Sequence, residues 1–411
     1  MLCPAPTFSS EPVHLVLGDG WALVRQTGSV AITGALSSVE LGDIPDEADL
    51  TSLAIWSRRY PVKLLSWARG GRLPDTPLAT NQVDLTWQPT RAGIHGIPDA
   101  PVRVMLESPA LGDREVVIAY LMTGIVWQAR YNAVIRGDLT NELDVLAIDL
   151  EAAVILSNAT SRSFHDAQIH LVTARSRPDV ASQNDAGFFM MDEDDPLSDL
   201  WMKEEVVQER IEEYPVPGLV SLAAGTEVRV PLARAQRQPA RRLYGVQWDD
   251  FAGAGDERGA ELERWIVLRN DPSVGLGVAM PAGWAQIYVG GLRNALYQFA
   301  WFGHTPRAGE IRISLGTSDR VRASRRFVDR TQMSRGLSRE TYQMEIQNEL
   351  ESVIALEIDE RPQTTLSWTV EKVSGADYFT QGRRIVFTAN VNARSTLRIQ
   401  YVLVVQEPSD L

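Results

Sequence analysis

Short segments in which apolar and polar side chains alternate recur along most of the chain, and they constrain the fold more than any other feature. In residues 127–131 the first, third and fifth side chains are apolar and the other two are polar. After a turn at residues 158–160, Ile169 and Leu171 again share one face. Because successive side chains of a β-strand point to opposite faces, this period of two predicts strands with one buried face. The two segments therefore indicate a half-buried antiparallel sheet.

The same pattern is clearest near the end of the chain. Three sets of apolar residues at every second position mark three strands: Ile354, Leu356 and Ile358; Ile385 and Phe387; and Leu397, Ile399, Tyr401, Leu403 and Val405. Strands of this kind bury their apolar faces by packing sheet on sheet. The sequence therefore predicts a small Ig-like β-sandwich over residues 341–411.

The first part of the chain carries strand candidates separated by Gly, Pro, Asp and Asn, at the spacing of roughly ten residues that is typical of sandwiches and barrels. These candidates are residues 14–18, 21–32, 50–57, 62–67, 82–87, 102–107 and 115–122. They predict an N-terminal β-domain over residues 1–118, followed by a central β-sandwich module over residues 119–340. We expect a mainly all-β protein of several antiparallel β-sandwich domains with one short inserted acidic helix.

The inserted helix is predicted near residues 185–213. Asp195 can cap its N-terminus, with Pro196 at its first position. An apolar stripe follows, made of Leu197, Leu200, Trp201, Val207 and Ile211. The acidic run at residues 192–195 suits the positive end of the helix dipole. Because this run lacks the spaced ligands and the glycine of a calcium loop, we predict no metal site there.

The charge and the cysteine content exclude several classes of partner and site. The net charge is −13, and because an acidic surface repels phosphate, we expect no nucleic-acid partner. Cys3 is the single cysteine, which excludes an internal disulfide and every multi-cysteine metal site. Since no run of about 18 apolar residues occurs, we expect no membrane span. Without a visible signal peptide, the protein is expected in the cytoplasm, or in the periplasm or envelope if an export signal was removed.

None of the familiar catalytic motifs occurs in the sequence. The five histidines, His14, His95, His165, His170 and His304, form no HExxH pair. There is also no GxSxG elbow, phosphate loop or dinucleotide-binding glycine motif. His165 and Asp166 are adjacent, so on an extended chain they point to opposite faces, and a solvated turn is the expected setting. We therefore predict no catalytic residue, no metal site and no cofactor.

His304 is the first candidate ligand-binding residue, with Glu310 as its companion. The two side chains could be ligands or an acid–base pair in a cleft. Alternatively, His304 is a hydrogen-bonded turn residue before Pro306, which restricts Thr305 to extended geometry.

An arginine-rich stretch at residues 320–339 is the second candidate. In it, Arg322 and Arg326 suit an anionic ligand or a docked protein. The alternative is a solvated strand and loop that offsets acidic charge elsewhere on the molecule.

Eleven tryptophans are many for a chain of this length. Exposed tryptophans could stack on sugars or anchor a protein partner. Most of them sit in strand-like runs beside aliphatic residues, which favours a place in the core.

Ordered pieces of the chain carry a resemblance to a known family. The pieces are Trp127 and Tyr131; Asn158 with Phe164, Ala167 and Leu171; Tyr214 with Pro217, Leu222 and Gly225; Asn270 with Gly277, Pro281 and Gly283; residues 303–306 with Gly309, Glu310, Leu315 and Gly316; and Asn348 and Tyr401. Together they resemble the bacterial mucoidy-inhibitor-A-like family, whose C-terminal part is a domain of unknown function. The resemblance covers roughly residues 115–405, and residues 20–24 are similar to the opening strand of the family's N-terminal region.

This resemblance implies a β-rich protein and transfers no catalytic residues. The chain departs from longer relatives, which carry a helical coiled-coil insertion between the two parts, because no heptad run precedes Glu115. We expect first a non-enzymatic protein with a structural or interaction role, associated with the cell envelope as the resemblance implies. We expect it to bind a protein partner or to form a homo-oligomer. The alternatives are a metal-assisted hydrolase centred on His304 and a carbohydrate-binding protein that uses exposed tryptophans.

Overall fold

The computed structural model describes residues 7–8, 12–42, 44–70, 100–139, 141, 146–174, 211–248, 257–290, 295–362 and 367–406. Strands make up nearly all the regular structure in these residues, and the only helix among them is the 3-10 helix Pro272–Val274. The mainly all-β fold predicted from the alternating pattern is therefore confirmed. The predicted acidic helix lies outside the described residues, except for its end at residues 211–213, which belongs to a strand. The strand candidate at residues 82–87 also lies outside them.

The described residues form 24 strands. The first twelve are β1 Thr7–Phe8, β2 His14–Leu17, β3 Ala22–Ile32, β4 Leu36–Leu41, β5 Ala48–Trp56, β6 Lys63–Arg69, β7 Val102–Glu107, β8 Gly112–Met122, β9 Ile125–Arg136, β10 Leu146–Asn158, β11 Phe164–Ala174 and β12 Ile211–Pro215. The others are β13 Val220–Leu222, β14 Thr226–Trp248, β15 Glu257–Arg269, β16 Gly283–Val289, β17 Ala295–Phe302, β18 Glu310–Ser334, β19 Leu337–Asn348, β20 Ile354–Glu360, β21 Ser367–Ser374, β22 Asp377–Gln381, β23 Arg384–Val391 and β24 Ser395–Gln406.

The chain folds into two units, each assembled from separate stretches. Unit 1 comprises Met1–Arg130, Ala152–Ala233 and Ala279–Pro281, and unit 2 comprises Tyr131–Glu151, Arg234–Val278 and Ala282–Leu411. Three of these boundaries fall inside the long strands β9, β10 and β14. The boundaries predicted at residues 118 and 340 also fall inside strands, β8 and β19. Because alternation continues along a long strand, the pattern itself does not mark where a unit ends.

Unit 1 is built around one large sheet and one small sheet. The large sheet has the order β12-β11-β2-β3-β8-β5, with β1 paired to β3 and β13 paired to β11. Strand β11 runs parallel to β2. The small sheet has the order β4-β7-β6. Ile169 and Leu171 of β11 are buried, as the alternation predicted, and the Trp127 Nε1 group donates to the Leu17 carbonyl at 3.0 Å.

In unit 2 two layers of strands enclose a hydrophobic core. One layer has the order β15-β18-β19-β24-β21, and the other has the order β14-β20-β23-β22. Strand β14 connects the layers, because its residues 241–245 pair with β15 and its residues 244–248 pair with β20. Ile358, Phe387 and Ile399, which the alternation placed on buried faces, lie in this core.

Gly245 permits this change of partner within β14. A Cβ atom at this position would lie 2.2 Å from the carbonyl oxygen of Glu357 and 2.5 Å from the ring of Trp265. No real side chain approaches backbone so closely, so only glycine lets the neighbouring strand and the tryptophan pack here.

A buried asparagine closes a corner in unit 1 at the end of β10. The Asn158 Nδ2 group donates to the carbonyls of Arg162 at 2.7 Å, Leu222 at 3.3 Å and Ala223 at 3.2 Å. Its Oδ1 atom accepts from the Thr160 backbone N–H at 3.1 Å. One side chain therefore joins the turn after β10 to the turn after β13.

The same corner recurs in unit 2 at the end of β19. The Asn348 Nδ2 group donates to the carbonyls of Ser352 at 2.9 Å, Val391 at 3.2 Å and Asn392 at 2.8 Å. Its Oδ1 atom accepts from the Leu350 backbone N–H at 3.0 Å. The two local partners stand two and four residues after the asparagine, as in unit 1, and the two distant carbonyls again belong to consecutive residues, here 43 and 44 positions on instead of 64 and 65.

The strands around the two corners correspond as well. Strand β11 is antiparallel to β13 and parallel to β2, and β20 is antiparallel to β23 and parallel to β14. In the following turns, Gly225 and Arg394 occupy equivalent positions with positive φ angles of 66° and 48°. The Thr226 and Ser395 hydroxyls, one residue later, each donate to a turn carbonyl at 2.8 Å. We conclude that the two units share a repeated strand–corner–strand arrangement.

Replacing Asn348 by alanine should destabilise unit 2 substantially. The substitution leaves three carbonyls and one N–H of a buried corner without their side-chain partner, so we expect the free energy of unfolding to fall by about 2–4 kcal/mol. Urea denaturation measures the loss. The control is Asn390→Ala, an exposed position on β23, which should change the free energy by less than about 0.5 kcal/mol. Equal effects of the two substitutions would contradict a structural role for the corner.

Candidate binding surface

Glu310, one of the predicted ligand-binding residues, is engaged in a structural ion-pair cluster. Its carboxylate lies 2.8 Å from the guanidinium of Arg241 and 3.2 Å from that of Arg312. Partial burial disfavours the charged form, but the two guanidiniums outweigh it and hold the pKa of Glu310 below its usual range. His304 is half-buried in the loop between β17 and β18, and its pairing with Glu310 stays a prediction. Among the described residues, no three His, Cys, Asp or Glu side chains are grouped so that they could hold a metal ion.

Arg322 and Arg326 lie on the same exposed face of β18. The Arg322 Nε group donates to the carbonyl of Asp319 at 3.2 Å, and an Arg326 Nη2 group donates to Gln343 Oε1 at 2.8 Å. Arg322 also lines a shallow groove of about 420 Å³ whose other lining residues include Glu261, Ser324, Glu345 and Gln347. Because acidic side chains share this groove with the arginine, it is not a strongly anion-selective surface. The ligand-binding role of both arginines stays a prediction.

His165 and Asp166 lie inside β11, at an irregularity in its pairing with β13, rather than in a turn between strands. Both side chains are exposed. Asp166 has a positive φ of 48°, a conformation that aspartate tolerates better than most residues. This pair therefore has an explanation in local backbone geometry.

Arg325 belongs to the arginine-rich stretch at residues 320–339, but it is buried in the core of unit 2. It and Glu360 are each only 1% exposed, and Arg325 Nη2 donates to Glu360 Oε1 at 2.6 Å. The guanidinium lies 5.0 Å from the centre of the Tyr342 ring, which stacks on the Tyr401 ring at a centroid distance of 5.0 Å. Arg325 shares its face of β18 with Val321 and Ala323, so the alternating pattern could have revealed its burial.

This buried ion pair supports the core and does not form an accessible site. Burial raises the pKa of Glu360 to about 7, although the Arg325 guanidinium favours the charged form. Burial also raises the pKa of the Tyr401 hydroxyl well above its usual value. Because solvent hardly reaches either charged group, a substrate in solution does not reach them, and their effect is on stability.

The pKa of Glu360 predicts a dependence of stability on pH. The folded state binds a proton that the unfolded chain releases between the ordinary pKa of 4.5 and about 7. The resulting stabilisation is fully present below pH 4.5 and is lost as the pH rises through about 7, a total of about 3 kcal/mol. Urea denaturation at several pH values should show that Glu360→Gln removes this slope, whereas Gln347→Ala on the exposed face of β19 keeps it. Parallel pH profiles for wild type and Glu360→Gln would disprove the assignment.

The aromatic face of the hairpin β16–β17 is the most distinctive surface that the structure describes. We define it by five side chains, whose exposed fractions are 49% for Trp284, 50% for Leu296, 44% for Tyr297, 60% for Phe299 and 57% for Trp301. Trp284 pairs with Trp301 across the hairpin, and their rings meet edge to face at 5.3 Å and 79°. A sheet with one solvated face normally presents polar side chains there. Here aromatic and aliphatic side chains dominate the outward side, and Gln286 is the exposed polar residue among them.

The register of the hairpin explains why these side chains share one face. Ile287 pairs with Gln298 and Tyr288 pairs with Leu296, so Tyr297 is an extra residue that forms a bulge in β17. The opposite face packs inward through the buried residues Ala285 and Ile287. At the end of β17, the buried ring of Phe302 stacks on Tyr131 at 5.0 Å. The hairpin is thus anchored on one face and open on the other.

The sequence around the aromatic face lacks charge almost completely. In residues 275–303 the only Lys, Arg, Asp or Glu is Arg293, in a protein whose net charge is −13. Soluble proteins rarely expose contiguous apolar surface of this kind unless it binds something. We therefore take the aromatic face as the candidate functional site.

A second concave surface lies where the two layers of unit 2 leave a gap. Strands β21 and β22 are each paired to one strand among those described, and a groove of about 560 Å³ lies between them. Its lining includes Trp368, Val370, Tyr378 and Arg383. This groove is less apolar than the aromatic face, so we give it second place.

No protein-family model matches the chain, and no curated protein matches it. The resemblance to the mucoidy-inhibitor-A-like family is therefore carried by the residue pattern alone and stays a proposal. In the described part of the chain, no helix has the length and the apolar character to cross a membrane.

Proposed function

We propose that this protein is a non-enzymatic binding protein that recognises a protein partner through the aromatic face of unit 2. The observation that carries this proposal is the cluster of two tryptophans, a tyrosine, a phenylalanine and a leucine, each roughly half exposed, on one side of a hairpin. Tryptophan and tyrosine are the residues most enriched among those that dominate binding energy at protein interfaces. The resemblance stated above adds an association with the cell envelope to the proposal.

The energetics favour covering this face. An aromatic side chain has about 150–250 Å² of surface, so a half-exposed ring leaves about 100 Å² in water. At about 25 cal/mol per Å², covering one such ring contributes about 2.5 kcal/mol before entropy is subtracted. Five side chains of this size are enough to anchor a specific partner.

The geometry of the face suits a protein better than a sugar. The two indole planes of Trp284 and Trp301 are inclined at 79°, so they do not form one flat platform on which successive sugar rings could stack. An irregular apolar surface with rings at different angles instead matches interdigitating side chains, as in protein cores and interfaces. We therefore prefer a protein partner to the carbohydrate that exposed tryptophans also allow.

The proposal predicts contact-dependent crosslinking at Phe299. Replacing Phe299 by the photoreactive residue benzoylphenylalanine should give a discrete crosslinked protein product on irradiation in the native host, because this position is 60% exposed at the centre of the face. The matched control is the same replacement at Val353, which is 59% exposed in the same unit and should give no such product. The product should disappear when Trp301→Ser is added.

Two outcomes would contradict this function. The first is the absence of any crosslinked protein at position 299. The second is saturable quenching of tryptophan fluorescence by a glycan, lost on Trp301→Ser, which would assign the face to carbohydrate binding. A circular dichroism spectrum unchanged from wild type shows for each variant that the fold is retained.

A further inference from the structure

We infer that the partner covering the aromatic face is a second copy of this chain, in a twofold dimer whose two aromatic faces pack on each other. This inference rests on the proposed function, because it names the partner of the same surface. A twofold dimer needs only one patch that is complementary to itself. The aromatic face supplies such a patch, since apolar side chains dominate it around the exposed amide of Gln286, and a second sheet can pack on it at the usual spacing of about 10 Å.

The charge distribution favours a second copy. The protein carries a net charge of −13, so two copies repel each other over most of their surfaces. Within residues 275–303 this repulsion has no local source, because Arg293 is the only charged residue there. Two copies can therefore meet at strands β16 and β17 without opposing like charges on these strands.

The same lack of charge disfavours a transient protein partner and an anionic lipid surface as the group that covers the aromatic face. Transient partners are commonly steered by charged groups around the interface, and described strands β16 and β17 contain no Lys, Arg, Asp or Glu. Surfaces that attach to anionic lipid carry clusters of Lys and Arg, which these strands also lack. Homodimer interfaces are more apolar and less charged than other interfaces, as this face is.

The area is sufficient for a specific dimer. Five side chains that each expose about 100 Å² contribute about 500 Å² per copy. Two copies then bury about 1,000 Å² from these side chains alone, which is the lower limit for a specific interface, and backbone and neighbouring side chains add to it.

Sedimentation velocity of the purified full chain tests the inference directly. Over a range of about 1–100 μM, wild type should shift to the mass of two chains as concentration rises. Phe299→Glu should raise the dissociation constant by about 100-fold or more, because the dimer would bury two facing carboxylates. Val353→Glu, equally exposed in the same unit, should dimerise like wild type. If the Phe299→Glu variant does not fold, Phe299→Ser is used in its place in the same sedimentation experiment.

A cysteine crosslink locates the interface. Cys3 is the only cysteine, so Cys3→Ser gives a background without thiols. Gln286 pairs with Phe299 at the centre of the hairpin, so Gln286→Cys in this background should yield a covalent dimer with a short bis-maleimide. Val353→Cys should remain a monomer under the same treatment.

The outcomes separate this inference from the proposed function. The inferred dimer is wrong if the wild-type protein is monomeric at every concentration. It is also wrong if the protein dimerises but Phe299→Glu leaves the dissociation constant unchanged. If position 299 still crosslinks to a different protein, the proposed function stands and only the identity of the partner was wrong. If vesicles of anionic lipid bind the protein and Phe299→Glu abolishes this binding, both the second copy and the protein partner are wrong.

Discussion

Each unit depends on one buried asparagine amide that bonds to backbone groups of two separate turns. Asn158 and Asn348 each satisfy three carbonyls and one N–H that burial would otherwise leave without partners, and an unsatisfied buried polar group is costly. The amide thereby fixes where one strand ends and where a later strand begins. In unit 2 this corner sets the register of β19 and β24, whose buried rings of Tyr342 and Tyr401 stack at the centre of the core.

Much of the fold can be predicted from the alternation of apolar and polar residues, but the two asparagine corners cannot. Alternation alone placed Ile169, Ile358 and Phe387 on buried faces, because strand geometry leaves no other choice. The equivalence of Asn158 and Asn348 is invisible to that pattern, since it consists of hydrogen bonds between the asparagine side chain and backbone groups, which the alternation of apolar and polar residues does not encode. The unit boundaries were hidden for a related reason, since long strands such as β14 carry their alternation from one unit into the other.

The alternating pattern does not predict the exposed aromatic face. Strand β17 is apolar at nearly every position, a composition that is typical of a central strand buried on both faces. Only the folded structure, in which Phe299 and Trp301 are more than half exposed, shows that one face of this strand is open. Arg325 is the converse case, because its charge suggested the surface, whereas its place beside Val321 and Ala323 on the inward face and its partner Glu360 hold it in the core.

The bulge at Tyr297 has a consequence for assembly. A flat, regular apolar strand at a sheet edge can template further strands without limit, and this is the route to fibrils. The extra residue in β17 interrupts the ladder of backbone hydrogen bonds and increases the local twist. Growth by repeated addition of identical strands is thereby hindered, so a protein that exposes this much aromatic surface is suited to finite, closed contacts rather than open-ended polymerisation.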